Sequence, residues 1–233
     1  MKKIYTTSYL SPCGEMLLGE FEGKLCLCEW LSGKSNESIH RRLCRLLNAQ
    51  FVDAPAGRSM GSEFVDAPAG RSRSSEMTEL AAAMNDRYSE TDEVNHIGKG
   101  SEPASSSCCD VESGGYSGVI EKAALQLDEY FNGTRRSFDI PLLFVGTEFQ
   151  KRVWNELLTI PYATPLSYGE LARRIGMPSA VRAVANANGA NAISIFVPCH
   201  RIIGTDRSLT GYGGGLPAKR HLLDVEGIAY REQ

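Results

Sequence analysis

The sequence predicts an α+β protein in two domains, a small antiparallel-sheet domain followed by a helical domain. Three observations predict it. Short apolar runs broken by glycine turns crowd the first 31 residues, helix-capping signals crowd the stretch after residue 146, and a Ser/Gly/Pro-rich acidic stretch separates the two.

Ile4 to Leu10, Met16 to Phe21 and Leu25 to Leu31 read as three strands. Gly14 and the Glu22-Gly23-Lys24 turn divide them into an antiparallel meander. Asn36 caps a helix with Ile39, Leu43, Leu46 and Leu47 on one face. Residues 51–118 then change character: Ser, Gly and Pro make up 23 of 68, and twelve acidic groups face five basic ones. Within them 51–63 and 64–76 repeat at eleven of thirteen positions, without an apolar period that stacking could bury. Such a composition cannot offset its chain entropy, so 51–118 is expected to be a disordered insert, with a short helix from Glu76 to Tyr88 carrying Met77, Leu80, Ala81 and Met84. Val119 to Phe131 is an amphipathic helix stopped by Gly133. The first domain is thus 1–50 plus 119–145, and the second is 146–233.

In the second domain, Thr147 with Gln150 and Ser167 with Glu170 are capping boxes opening two helices, the first burying Phe149, Val153, Trp154 and Leu157. The second ends near Gly176, and a further helix runs from Pro178-Ser179 to Asn188, with Gly189 as its C-cap. That pair has the outline of a helix-turn-helix. Ile193 to Val197 reads as an apolar strand, and Pro217 starts a last helix, Ala218 to Glu226, closed by Gly227.

Composition excludes several classes. At 42% hydrophobic and 23% charged the chain can build a core, and no run of 18 apolar residues spans a bilayer. Seven cysteines are too few for a disulfide scaffold. Tyr5-Thr6-Thr7-Ser8-Tyr9 interrupts any signal-peptide core despite Leu10-Ser11-Pro12-Cys13, so a reduced cytosolic protein is expected. The net charge of −3 hides an asymmetry: the insert carries −7 and 146–233 carries +3, which fits a polyanion-binding surface and equally an ordinary mixed solvated one.

Pro198-Cys199-His200-Arg201 holds the chemistry. A cysteine placed after an apolar strand, beside a histidine and near a Gly-rich run, has the makings of a nucleophile whose thiolate needs a base. A basic histidine needs a carboxylate to fix its tautomer, and Glu226 on the last helix is the candidate. Without the wider pattern, a buried structural cysteine would explain the pair equally well. The glycines at 211 and 213–215 allow close backbone approach to a ligand, and no Lys-Ser/Thr pair follows them to make a Walker motif.

Arg182-Ala183-Val184, Asn188-Gly189, Asn191, the run from Ile195 to Ile203 and Tyr212-Gly213-Gly214-Gly215 together resemble the O6-alkylguanine-DNA alkyltransferases, also called methylated-DNA–protein-cysteine methyltransferases. The likeness is collinear from about Gly146 to Gly227 and loose over 1–50 and 119–145; the insert has no counterpart in it. The resemblance implies an RNase H-like sheet domain and a winged helix-turn-helix-like domain. It also implies direct, irreversible, stoichiometric transfer of an alkyl group from O6-alkylguanine in duplex DNA to Cys199 after base flipping, with O4-alkylthymine and larger alkyl groups left open. His200 matches the base acting through a water, Glu226 the carboxylate orienting it, and Asn191 the tie between helix-turn-helix and active-site turn. Tyr168 matches the donor to the flipped base, assisted by Lys219. Arg182 matches the finger filling the vacated stack, and Ile202, Tyr212, Gly213 and Gly214 the base pocket. Ser167 and Arg201 are expected at the DNA as well, while for Arg173 and Arg174 a solvated face competes with phosphate contact. The family often has Gly at the position of Ala185 and Pro at that of Ala192, which bears on packing. Double-stranded DNA is the expected partner of a monomer in a bacterial cytoplasm, with no cofactor. Cys26, Cys28, Cys108, Cys109, His40 and His96 lack zinc-site spacing, so no metal is expected. A non-catalytic DNA-binding module and a thiol hydrolase are the rival classes.

Overall fold

Strand β1 (Lys2–Ser11) folds back on β2 (Gly14–Phe21), and β2 on β3 (Lys24–Trp30), because short apolar runs are buried on the sheet and the Glu22-Gly23 turn has positive φ at both positions. The computed structural model describes residues 1–33, 36–55 and 117–232, all of which belong to one compact unit. Helix α1 (Asn36–Leu47) buries Ile39 and Leu43 and leads into a strand the sequence reading lacked. This is β4 (Ala49–Asp53), which runs parallel to β1 and gives the order β3-β2-β1-β4. The sheet is therefore mixed rather than a pure meander. β4 went unread because Phe51-Val52-Asp53 opens the tandem repeat, whose composition hid it, and the insert begins only after Asp53. The rest of the repeat, the Glu76–Tyr88 helix and His96, Cys108 and Cys109 lie outside the described residues.

Helix α2 (Val119–Phe131) lays Ile120, Ala123, Leu127 and Tyr130 into the core. Its start is fixed by the fully buried Glu20 on β2, whose carboxylate accepts from the Ser117 and Val119 amides at 2.8 and 3.0 Å. A carboxylate on the open N–H groups of a helix start is favourable for both partners. Tyr9 of β1 donates to Asp128 at 2.8 Å, so sheet and helix are tied at two places.

Helix α3 (Glu148–Leu158) has the expected capping box, both bonds of which form between Thr147 and Gln150. It buries Val153, Trp154 and Leu157, while Phe149 is half-buried against the same core. Strand β5 (Leu166–Ser167) pairs in parallel with β6 (Ile202–Ile203), and Ser167 also caps α4 (Tyr168–Arg174). A turn then leads to α5 (Val181–Gly189), three residues later than Pro178-Ser179 implied, with Ala190 rather than Gly189 as its C-cap. The last helix, α6 (Gly215–Val225), begins two residues before Pro217. A proline there is tolerated because the first turn's N–H groups have no helical acceptor anyway.

One expectation fails on geometry. Ile193 to Val197 is a tight turn, not a strand: Val197 donates back to Ile193 at 3.0 Å and Ile195 has φ 71°. Its residues are apolar because they are enclosed on all sides, and an enclosed turn and a core strand look alike in composition. The turn docks on the free edge of β3, where Cys28 donates to Ala192 and accepts from Ser194, both at 2.8 Å. Residues 141–143 pair with Leu25 in the same way. A large apolar core runs from Ile4 on β1 to Leu222 on α6, and a small second cluster gathers Ile203, Leu209, Leu223 and Ile228. Among the described residues, no helix is long and apolar enough to cross a membrane, and no group of three or more His, Cys, Asp or Glu is placed to hold a metal ion.

Candidate active site

Cys199, His200 and Arg201 form one turn of 3₁₀ helix, entered through Pro198. Every residue from Asn191 to His200 is buried. A β-branched residue at positive φ, here Ile195, is held only where surrounding contacts impose it. Asn191 imposes much of it. Its Nδ2 donates to the Val197 carbonyl at 3.1 Å and to the Cys199 sulfur at 3.2 Å, and its Oδ1 accepts from Ile193 at 3.0 Å. One amide thus closes the turn and touches the thiol. Asn188, on the last turn of α5, donates to the Cys199 carbonyl at 3.4 Å.

Burial pushes the Cys199 thiol above its ordinary pKa, against the Asn191 amide and the Lys219 charge, which pull it down. The resting group is therefore a thiol, and its proton must leave as it reacts. His200 is wholly buried, with Nε2 2.8 Å from Glu226 Oε1 and no hydrogen-bond partner at Nδ1. Burial keeps the imidazole pKa below its usual value despite Glu226, so the ring is neutral at pH 7. Burial also works against ionising Glu226, but hydrogen bonds from His200 and Arg201 outweigh it and hold the carboxyl at about 2. A carboxylate accepting from Nε2–H leaves Nδ1 as the bare, basic nitrogen.

Arg201, expected at the DNA, is instead buried beneath this pair. Its Nε and Nη2 donate to the two Glu226 oxygens at 2.8 and 2.9 Å, and Nη1 donates to the Ile160 carbonyl at 2.7 Å. A bidentate guanidinium matches a carboxylate, and here every guanidinium nitrogen is already engaged on a buried side chain. Three groups that sequence reasoning did not single out complete the set: Tyr130 Oη, the Ala163 amide and the Thr210 side chain. Tyr130 and Ala163 donate to Glu226 at 2.9 and 3.0 Å. Sequence separations of 96 and 63 residues gave no local signal for them.

Lys219 is fully buried on α6, donating to the Ile202 and Thr210 carbonyls at 2.6 and 3.3 Å. Desolvation lowers its pKa to about 8, with the Cys199 charge pulling the other way. Ile202 thus contributes its carbonyl, its side chain being buried. Tyr168 Oη meets Thr210 Oγ1 at 3.0 Å, so Lys219 and Tyr168 converge on the same threonine. Burial raises the Tyr168 and Tyr212 hydroxyls, and both lie within electrostatic reach of the Cys199 sulfur.

Tyr168, Tyr212, Gly213 and Thr210 form one wall of an open cavity of about 670 Å³, and Ala185, Asn186 and Gly189 of α5 form the other. This volume is in the range of small-ligand pockets. Ala185 therefore adds a methyl to the pocket wall. Arg182 is exposed on the first turn of α5, on the same stripe as Ala185, Asn186 and Gly189. Gly214 does not line the pocket. A Cβ there would collide with the Trp30 ring, which also meets Tyr212 edge-on at 5.5 Å, so the glycine lets β3 buttress the pocket. Ser167 spends its hydroxyl on capping α4 and sits in a smaller cleft of about 280 Å³ with Arg173 and Arg207. Arg174 pairs with Glu156 at 3.7 Å.

Residues 148–228 match the model of the family "6-O-methylguanine DNA methyltransferase, DNA binding domain". The chain is 53% identical over 115 residues to the methylated-DNA–protein-cysteine methyltransferase of Mycobacterium tuberculosis, covering 49% of this chain and 67% of that protein. It is 48% identical over 115 residues to the constitutive enzyme of Bacillus subtilis, covering 49% and 70%. Among solved structures, the M. tuberculosis O6-methylguanine methyltransferase is similar with a TM-score of 0.60 and 31% identity, over 97% of this chain and 93% of that one. The structure of the same organism's OGT in complex with DNA has a TM-score of 0.59 and 30% identity, over 96% and 92%. Sequence and fold agree, and the chain belongs to the methylated-DNA–protein-cysteine methyltransferases.

Proposed function

We propose that the protein repairs double-stranded DNA by moving the alkyl group of O6-alkylguanine onto Cys199, once per molecule. The observation that carries this reading is the pairing of Asn191 with the Cys199 sulfur and of Glu226 with His200, beside an open pocket walled by Tyr168 and Tyr212. Ionised Glu226 holds His200 so that Nδ1 accepts the thiol proton through a water. The thiolate attacks the alkyl carbon, the S–C bond forms as the C–O6 bond breaks, and the electron pair stays on O6. Guanine leaves as an anion and takes up one proton, with Tyr168 as the donor at the base. The nearby Lys219 charge favours the thiolate as it forms. The thioether has no leaving group that water can displace, so the protein is spent, and neither metal nor cofactor takes part.

A base inside the stack cannot reach a buried sulfur, so the nucleotide is flipped out and the exposed Arg182 fills its place. The α4–turn–α5 unit is then the reading element of a winged helix-turn-helix domain over 146–233, with an RNase H-like domain formed by 1–50 and 119–145. Ser167 and Arg173 contact phosphate at the edge. The protein acts as a monomer in a bacterial cytoplasm. O4-alkylthymine fits the same chemistry.

The test is the intact mass after mixing with a duplex carrying one O6-methylguanine, followed by peptide mapping. A gain of one CH₂ on the Cys199 peptide, absent from a Cys199→Ala variant that still binds DNA, is expected. Lesion-selective binding without a mass gain would instead make the protein a non-catalytic recogniser, and repeated turnover of a small ester would make it a hydrolase.

A further inference from the structure

Glu226 Oε1 accepts three hydrogen bonds, and one of them comes from outside the C-terminal helices. Tyr130, on α2, is wholly buried and points its hydroxyl at this oxygen from 2.9 Å, beside His200 Nε2 at 2.8 Å and Arg201 Nη2 at 2.9 Å. Its ring is held by Phe131, Phe138 and Tyr162 at centroid distances of 5.5, 5.5 and 6.4 Å, so the hydroxyl has one direction to point. From this geometry we infer that Tyr130 is a positioning residue for alkyl transfer: its hydroxyl shares the negative charge on Glu226 Oε1 with the His200 imidazole, fixing the ring and setting how readily it binds a proton. This rests on the transfer reading above.

The physical consequence has a definite sign. An oxygen that gives part of its charge to Tyr130 Oη–H has less to offer an imidazolium. Removing the hydroxyl returns that charge to His200 and makes protonated His200 more stable. Protonated His200 cannot accept the thiol proton, so the acid limb of the transfer rate moves to higher pH. The other groups facing this pair are Arg201 on both Glu226 oxygens, Tyr162 near Glu226, and Lys219 near His200. None of them is altered by the substitution.

The experiment is the rate of alkyl transfer from free O6-benzylguanine to the full chain against pH. For Tyr130→Phe the acid-limb midpoint should rise, and the rate lost on that limb should be recovered at higher pH. Installing 3-fluorotyrosine at 130, a stronger donor of the same shape, should move the midpoint down and keeps the test available if Tyr130→Phe does not fold. Tyr9→Phe, which loosens the same helix by removing the bond to Asp128, should leave the midpoint in place. A midpoint unmoved by both changes at 130, or moved equally by Tyr9→Phe, would overturn the inference. Wild-type protein that fails to take up the benzyl group would overturn the transfer reading itself.

Discussion

Glu226 gathers five hydrogen bonds from Tyr130, Ala163, His200 and Arg201, and its low pKa ties stability to pH. Its carboxyl titrates near 2 when folded against 4.5 in an ordinary chain, so it binds a proton less readily in the native state. That contribution, on the order of 3 kcal/mol, is fully present above about pH 4.5 and is lost as pH falls towards 2. His200, buried and neutral with a pKa below 6.5, works in the same direction, because the unfolded chain protonates first as pH drops through 6.5. Lys219, lowered from 10.5 to about 8, costs stability while charged, and that cost shrinks as pH rises from 8 towards 10.5. Thermal melting should therefore show a midpoint that falls below pH 6.5 and more steeply below 4.5. A midpoint flat from pH 7 to 4 would contradict the buried network.

At the scale of the element, helix ends were the most legible feature. Thr147-Gln150 and Ser167-Glu170 state their bonding partners within four residues, and both capping boxes form. Thr147→Ala should cost about 1 kcal/mol in urea unfolding and leave transfer by the folded protein unchanged. The active-site turn was legible only as chemistry: Cys199, His200, Asn191 and Glu226 do come together, but the backbone that joins them was misread as a strand. Asn191 closes that turn through a side-chain amide, and a side-chain bond leaves no hydrophobic period to read. Arg201 was placed on the wrong side of the site for a related reason: its partner, Glu226, lies 25 residues away, and charge alone suggests a polyanion. On α5, the exposed Arg182 and the pocket-lining Ala185, Asn186 and Gly189 share a stripe, so Arg182→Ala should slow repair of duplex at least tenfold more than reaction with free O6-benzylguanine. Equal losses on both substrates would remove the finger role.

For the whole molecule, one core spans the sheet and the helices of the described residues. The attachment points are explicit: Ala54 donates to Thr6 at 2.8 Å, and Ser117 caps against Glu20. A variant in which a short Gly/Ser linker replaces 57–115 should fold and transfer at the parent rate, measured by single-turnover uptake from an O6-methylguanine duplex. A folded deletion that takes up nothing would show that the insert has a part in the reaction. The sequence reading divides the chain at 145/146, where the Thr147-Gln150 capping box opens a run of helices. Contacts such as Cys28 with Ala192 and Ser194, made by backbone groups, carry no residue-type signature and stayed hidden.

Helix α5 packs into the core through Val184 and Ala187 and is tied by side-chain hydrogen bonds at its C-terminal end. Trp154 donates to the Ala187 carbonyl and Arg42 to that of Ala190, both at 2.8 Å, while Val181, Arg182 and Ala183 are exposed and the helix start has no side-chain cap. Mechanically this is an overhang that carries Arg182, clamped one residue before Asn191. In the proposed reaction a duplex pressing on Arg182 would load that clamp, beside the amide that grips the sulfur. The helix that carries Arg182 and the amide that holds the Cys199 sulfur are thus one piece.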